Sequence, residues 1–293
     1  MDFNSKENKF VTGVDIGGSH ITVGLVDIDQ RTLIKNTLTR KSVNADGTLE
    51  EIFETWCKAI EQVQKLNPEN IKRIGIAMPG PFDYAQGISW MHNMNKFENL
   101  YGINIKQKLS QKLNLQPDHI FFRNDAEAFL AGEVMCGAAR GYNNAIGITI
   151  GTGLGTAVHI NGKTINVEMG VNTPFADGVA EDYISTRWFV KRWYEMSGKK
   201  ISGVKEFTEI MKEDVRAKKI FEEFKENLEK FLAIFIRKEK QTDIIAIGGN
   251  IANALTDCFE EMEKNLQKEF PNIHIRKAAL GENAALIGAA FSD

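Results

Sequence analysis

Apolar residues fall at alternate positions through Phe10-Val11-Thr12-Gly13-Val14-Asp15 and again through His20-Ile21-Thr22-Val23-Gly24-Leu25-Val26. The spacing predicts strands at 10–16 and 20–28, paired as a hairpin around Gly17-Gly18, with a third strand at 31–38. From Leu49 to Leu66 the apolar positions recur every three or four residues, an amphipathic helix that Asn67-Pro68 stops. A buried strand, Ile71 to Met78, breaks at Pro79-Gly80-Pro81 into a loop carrying Asn93, Asn95 and Tyr101, before a helix near 104–114. The strand Ile120-Phe121-Phe122 then leads through Arg123-Asn124-Asp125 into a helix from Ala126 to Cys136.

The pattern then repeats. Ala145 to Ile150 and Thr156 to Ile160 flank a second glycine turn, Gly151-Thr152-Gly153-Leu154-Gly155, and Asn161-Gly162 reads as the bend of a further hairpin. A loop over 163–178 precedes helices at 179–197, 203–213 and 214–240. The strand Ile244 to Ile247 ends at Gly248-Gly249-Asn250, which opens a helix to Lys268; a strand at 273–275 and a helix at 282–290 follow. Grouped strands followed by helices that alternate with single strands, twice over, predict an α/β protein of two related halves.

Each glycine turn follows a strand and brings backbone N–H groups and a hydroxyl (Ser19, Thr152) to one place, as phosphate oxygens require. Taken singly, each also reads as a tight turn that needs positive φ. A Walker loop is excluded because Ala157 stands where its first glycine belongs ahead of Gly162-Lys163-Thr164. The dinucleotide fingerprint fails because Thr156 takes its third glycine position and a strand follows instead of a helix.

With 293 residues, a net charge of -3 and a pI near 6.0, the chain can bury a full core and has no basic face for nucleic acid. Cys57, Cys136 and Cys258 lack C-x-x-C pairing and read as small buried hydrophobes in a reducing, cytoplasmic protein. No signal peptide and no stretch of about 18 apolar residues is seen, so no membrane partner is expected. The few polar residues before the first strand leave no room for a DNA-binding module.

Five ordered segments, Asp15-Ile16-Gly17-Gly18-Ser19, Ala77-Met78-Pro79-Gly80-Pro81, Asn124-Asp125-Ala126, Gly151-Thr152-Gly153-Leu154-Gly155 and Ile247-Gly248-Gly249-Asn250, resemble those of the ROK family of sugar kinases and sugar-responsive repressors. The resemblance implies two related actin/hexokinase-like domains with nucleotide and sugar in an interdomain cleft. One domain would span 1–123 plus 276–293 and the other 124–275. It implies ATP and Mg²⁺ as cofactors, with Asp15 holding the metal through water and the turns at Gly17, Gly18, Ser19 and at Thr152, Gly153, Gly155 cradling phosphates. Gly248, Gly249 and Asn250 would lie against the adenosine, at a helix start whose positive end suits that role; a close packing turn is the plainer reading of Gly248-Gly249.

By the same resemblance Asp125 is the base that takes the proton of a sugar hydroxyl during in-line phosphoryl transfer. Gly80, Asn93, Asn124, Glu168 and Glu181 would contact the sugar. Asn124 and Glu127 also make sense as a plain helix capping box, which would hold Asp125 rigidly. Where many relatives carry a histidine and three cysteines on a structural zinc, this chain has Val171 and neither Cys nor His from Asn172 to Ala180, so no zinc site is expected. Phe175, Tyr183 and Trp188 are candidates to replace that clamp by apolar packing. The histidines lack metal-ligand spacing, and Trp188, Phe189 and Trp193 read as core or interface. The expectation is an ATP-dependent hexose kinase acting at the 6-hydroxyl, glucose first, closing to exclude water, and by resemblance a homodimer. The alternatives are an N-acetylhexosamine or other hexose kinase, or a catalytically weak sugar sensor.

Overall fold

The computed structural model describes residues 9–66, 71–93 and 96–292; the helix stop at Asn67-Pro68, Asn95 and the polar residues 1–8 lie outside them. The chain runs β1 (Phe10–Ile16), β2 (His20–Asp27), β3 (Thr32–Leu33), β4 (Thr39–Ser42), α1 (Leu49–Gln64), β5 (Ile74–Met78), β6 (Phe82–Asp83), β7 (Ile88–Ser89), α2 (Ile105–Leu113), β8 (Ile120–Asn124) and α3 (Asp125–Cys136). It continues with β9 (Asn144–Ile150), β10 (Leu154–Ile160), β11 (Lys163–Asn166), α4 (Met169–Asn172), β12 (Pro174–Phe175), β13 (Gly178–Val179), α5 (Ala180–Tyr183), α6 (Thr186–Ser197), α7 (Val204–Met211) and α8 (Val215–Glu239). β14 (Ile244–Gly248), α9 (Phe259–Gln267), β15 (His274–Lys277) and α10 (Ala284–Ala290) complete it.

Two compact units result, 1–136 with 283–293, and 137–282. Their sheets share one topology. In the first, strand order is β3-β2-β1-β5-β8, with the β1–β2 and β2–β3 pairs antiparallel and β1–β5 and β5–β8 parallel. In the second, β11-β10-β9-β14-β15 repeats that order and those directions. The two related halves expected from the hydrophobic pattern are thus present as one sheet plan used twice.

The unit boundaries fall elsewhere than at 123/124 and 275/276, because helix packing decides them. α3 belongs with α10, which lies against β1, β5 and α3 at glycines. A Cβ on Gly75 would stand 1.9 Å from Ala289 O, one on Gly132 2.2 Å from Ala284 O, and one on Gly288 1.8 Å from Ala128 O. Such backbone-to-backbone approach leaves α10 almost wholly buried.

Within the first unit, α1 begins at a complete capping box: Glu51 N–H donates to Thr48 Oγ1 and Thr48 N–H to Glu51 Oε2 at 2.8 Å. Its inner face buries Phe53, Trp56, Ile60 and Val63 against the sheet. Cys57 is also buried there, its thiol pushed up to about 11 chiefly by loss of hydration, so it packs as a hydrophobe. Instead of one strand at 31–38, β3 and β4 pair with different parts of β2. Asn36 has φ 67°, and the Thr37 hydroxyl bonds Leu25 N–H and Ile34 O, which interrupts the ladder.

The second unit's core joins its sheet to α6, α7 and α8 through Trp188, Phe189, Trp193, Phe207, Phe224 and Phe231. The aromatic helix is therefore mostly core, Tyr194 excepted. Asn161-Gly162, both at positive φ, turn β10 into β11 as predicted. The expected helix from Asn250 is replaced by 3₁₀ turns at Asn250–Asn253 and Thr256–Cys258, and α-helix starts only at Phe259. The helix expected over 179–197 divides at Ile184 and Ser185 into α5 and α6, and the loop expected at 163–178 contains β11, α4 and the small β12–β13 hairpin.

Candidate active site

In the first unit, three predicted segments emerge at the carboxyl ends of three neighbouring parallel strands: Asp15 to Ser19 from β1, Gly80 from β5, and Asn124-Asp125 from β8. That edge of an open α/β sheet is where ligands bind. Register aligns Asp15 with Ala77 and Met78 with Asn124, so the segments are neighbours. Gly17 N–H closes the β1–β2 hairpin on His20 O, leaving Gly18 and Ser19 exposed at its tip. Ser19 Oγ lies 2.8 Å from Nδ1 of His20, which by sequence follows the first turn and could approach phosphate, with an exposed strand position as its plainer reading.

Asn124 Oδ1 accepts from Ala126 N–H at 2.9 Å and Glu127 N–H at 3.3 Å, the cap that fixes the first turn of α3. Its Nδ2 donates to Tyr84 Oη at 3.0 Å, and Tyr84 donates onward to Met78 O. Tyr84, 3.3 Å from where a Gly80 Cβ would be, thus ties the Gly80 and Asn124 segments together. No sequence signal marked it, because its partners lie on separate strands.

Asp125 reaches solvent, yet the protein around it raises its carboxyl above the ordinary aspartate value by desolvation. The Ala126 N–H on Oδ1, 2.8 Å away, and the charge of Lys96 oppose that rise. Lys96 also passes close to Gly18, its Cδ 3.5 Å from where a Cβ would stand. A cation that borders both the first glycine turn and Asp125 escaped the sequence reading, which weighed this loop only for hydrogen-bonding residues. Asn93 holds left-handed backbone at φ 57° with its N–H on Glu98 Oε2; no described bond links it to Asn124 or Gly80.

In the second unit, the Gly151–Gly155 turn joins β9 to β10, and Gly248-Gly249 ends the adjacent parallel strand β14. Gly249 has φ 87°, and a Cβ there would come 2.4 Å from Ile150 O. Only glycine combines that dihedral with that approach. The close-packing reading of Gly248-Gly249 is therefore correct locally, and its effect is to bring Asn250 beside the other turn. Thr152 and Asn250 line one cavity of about 720 Å³ with Thr186, Lys205, Thr208 and Asn253, a volume in the range of small-ligand sites. Because a 3₁₀ turn and not an α-helix follows Gly249, the positive helix end expected at Asn250 is missing.

Glu168 also holds left-handed backbone, φ 48° and ψ 31°, ahead of α4. For a glutamate this conformation is costly, and such residues gather at functional sites. Met169 N–H bonds Thr156 Oγ1 at 2.8 Å, and a Cβ on Gly170 would meet Leu154 O at 2.3 Å, so α4 sits directly on the start of β10. Glu181 Oε2 accepts Leu154 N–H at 2.9 Å and its other oxygen pairs with Arg187. Both predicted glutamates thus border the strand that leaves the glycine turn, but Glu181 is bonded into the turn itself. Of the three aromatic residues expected to pack where no zinc site is expected, Phe175 and Tyr183 have rings 5.4 Å apart, whereas Trp188 packs on Phe189 and Phe224 in the core. Among the described residues no helix is long and apolar enough to cross a membrane.

Comparison with known proteins agrees with this layout. A curated glucokinase of Thermotoga maritima is 30% identical over 169 residues, 58% of this chain and 50% of that protein; the matched region thus spans about half of that relative's length. An N-acetyl-D-glucosamine kinase of Pectobacterium carotovorum aligns over 95% of this chain and 97% of its own at 22% identity. The crystal structure of a ROK family glucokinase from Streptomyces griseus in complex with glucose and AMPPNP superimposes with a TM-score of 0.75 over 96% of this chain and 98% of that one, at 23% identity. The fold is therefore that of the actin/hexokinase-like sugar kinases. With the ROK family model matching residues 11–175 and 176–292, nearly the whole described chain, the protein belongs to the ROK family.

Proposed function

We propose that this protein is an ATP-dependent hexose kinase that phosphorylates the 6-hydroxyl, with glucose the leading substrate and a cytoplasmic homodimer the working form. The observation that carries the reading is the cavity in which Thr152, from one glycine turn, meets Asn250, from the other. An adenosine bound along Asn250, Asn253 and Thr208 would leave its phosphates at the Thr152 and Gly153 amides. Within the first unit, the tip amides of Gly18 and Ser19 and the charge of Lys96 offer phosphate oxygens a second set of partners. In such a transfer the protein's work is positioning and neutralising charge.

Asp125 is the proposed base. Its Oδ1 is engaged by Ala126 N–H, which leaves Oδ2 to take the hydroxyl proton as the sugar oxygen attacks. The raised carboxyl suits a base that must gain a proton during the step. Gly80, Asn93, Asn124 and Glu168 are assigned to the sugar. Among the described residues no group of three or more His, Cys, Asp and Glu is arranged to hold a metal. That fits a Mg²⁺ bound mainly by nucleotide phosphates and water, with Asp15 reaching it through water. When bound, the ion would neutralise phosphate charge.

The Pectobacterium relative keeps N-acetylhexosamines in view as alternative substrates. The test is coupled ADP release with Mg-ATP across hexoses and N-acetylhexosamines, beside Asp125→Asn. One sugar should drive turnover that the variant loses. If none does while one still binds, the protein is a sugar sensor, a reading favoured by the unusual 172–180 loop.

A further inference from the structure

We infer that Tyr84 is a positioning residue that holds Asn124 so that its amide offers a ligand one N–H and no acceptor, an inference that rests on the proposed role of Asn124 in binding the sugar. Tyr84 reaches Asn124 from the turn between β6 and β7. There Asp83 Oδ1 accepts Ala85 N–H at 3.1 Å and Gln86 N–H at 2.9 Å, and Lys106 Nζ donates to Ala85 O at 2.8 Å. An aspartate that bonds the backbone just ahead of it in this way fixes its own turn. The Tyr84 ring lies 5.2 Å from that of Phe82, which packs in turn on Phe122 of β8. The hydroxyl is therefore delivered by a fixed turn and a packed ring.

A carboxamide has two lone pairs on its oxygen and two N–H groups on its nitrogen. Asn124 Oδ1 takes Ala126 N–H at 2.9 Å and Glu127 N–H at 3.3 Å, which fills both lone pairs and fixes which end of the amide is oxygen. The other end agrees. The Tyr84 hydroxyl gives its proton to Met78 O at 3.1 Å, so toward Asn124 it can only accept, and Nδ2 stands 3.0 Å away. One N–H of Nδ2 then remains, and among the described residues none takes it. Asn124 is 8% exposed, and a polar hydrogen on so enclosed a side chain calls for an acceptor. A sugar oxygen would be that acceptor.

The chemistry of the ligand follows. Whatever meets Asn124 must bring a lone pair, as a hydroxyl, ring or carbonyl oxygen does, whereas an ammonium group would set donor against donor. Tyr84 matters because the two bonds on Oδ1 leave the nitrogen end of the amide able to swing, and its hydroxyl pins that end. Asp125 is tied in as well. Ala126 N–H is shared between Asn124 Oδ1 and Asp125 Oδ1, 2.9 and 2.8 Å away, so a swinging Asn124 would disturb both the sugar contact and the carboxylate beside it.

The test uses Tyr84→Phe and Asn124→Ser in the full chain, with calorimetric titration of glucose and N-acetylglucosamine, KM for the sugar and for Mg-ATP, and thermal unfolding. Hydrogen exchange of the Asn124 side-chain amide is followed beside these, its signal assigned by its loss in Asn124→Ser. Phenylalanine keeps the ring and removes the hydroxyl. Serine caps a helix about as well as asparagine but brings no N–H. In Tyr84→Phe the side-chain amide should exchange at least about fivefold faster, and sugar affinity and KM should worsen about three- to tenfold while KM for Mg-ATP stays within about twofold. In Asn124→Ser sugar affinity should fall about tenfold with the melting temperature held. Unchanged amide exchange in Tyr84→Phe would overturn the inference, as would unchanged sugar affinity there beside a loss in Asn124→Ser. Equal losses for sugar and Mg-ATP with a lower melting temperature would give Tyr84 a structural role alone and overturn it too. A wild-type protein that binds neither sugar, or an Asn124→Ser protein that binds one as tightly as wild type, would sink the sugar role of Asn124 instead, and the exchange arm would still decide whether Tyr84 holds the amide.

Discussion

Gly288→Ala sets two effects against each other. In the middle of α10, alanine in place of glycine improves helix propensity by about 1 kcal/mol. The added methyl, however, would sit 1.8 Å from Ala128 O and 2.5 Å from Gly132 N on α3. Restoring ordinary contact needs the two helices to part by roughly 1.5 Å, in a close-packed interior that relaxes little. Parting them would also loosen the contact of Gly132 with Ala284 O, 2.2 Å from a Cβ there, and pull α10 from Gly75. Overpacking typically costs 1–3 kcal/mol and occasionally more, and backbone atoms cannot rotate aside as a flexible side chain would, so a cost of about 4 kcal/mol is expected, a net loss of about 3 kcal/mol after the helix gain. For a chain of this size that lowers the first unfolding midpoint by about 6–12 °C. The assay is thermal unfolding followed by circular dichroism, with Gly198→Ala as control: Gly198 has φ 69° but nothing within 4 Å of its would-be Cβ. The control should lose only about 1–2 kcal/mol from its dihedral. Because α3 carries Asp125 at its first turn, turnover should fall as well. A Gly288→Ala protein that melts within about 2 °C of wild type, or above it, would refute the reasoning.

Asp125→Asn should lower turnover by about 10²- to 10⁴-fold without lowering the melting temperature at neutral pH. The folded carboxyl is raised, so its contribution to stability is full below the ordinary aspartate value and is lost as pH rises through the raised one; the neutral isostere removes the cost of the poorly hydrated charge. For the same reason the acid limb of kcat/KM should lie above pH ~3.9, the ordinary aspartate pKa, and an acid limb at or below it would count against Asp125 as the base. Thr48→Ala removes half of the α1 capping box and should cost about 1 kcal/mol, visible as a midpoint lower by about 2–4 °C that Thr48→Ser restores. Asn250→Ala should raise KM for Mg-ATP up to about tenfold and leave KM for the sugar unchanged; the reverse split would remove Asn250 from the nucleotide side.

What the sequence made legible were features that depend on neighbours along the chain. The period-2 runs gave β1, β2, β9 and β10, and the Asn161-Gly162 bend was the plainest local signal. Features that depend on distant contacts were not legible. The strand expected at 31–38 divides because Thr37 bonds Leu25, twelve residues away. The helix expected from Asn250 fails because Gly249 is pressed against Ile150, and the Thr256 hydroxyl turns back onto Ala252 O and Asn253 O. Tyr84, Lys96 and Arg187 join the site through partners on other segments, so no local spacing could announce them. The place where the compact units divide was not legible for a related reason: α3 packs with α10, more than 140 residues on.

The seat of α10 has a consequence for biosynthesis. The second unit is continuous, 137–282, whereas the first is completed only by 283–293. As the chain leaves the ribosome, the sheet and α3 of the first unit must wait with a groove open at Gly13, Gly75 and Gly132 while the whole second unit is made. The later half in sequence can therefore reach its finished core first, a reversal of the usual N-to-C order. The apolar stretch Ala284 to Ala290 then acts as the closing piece, and a ribosome that stalls near Glu282 leaves the part bearing Asp125 with its core uncovered.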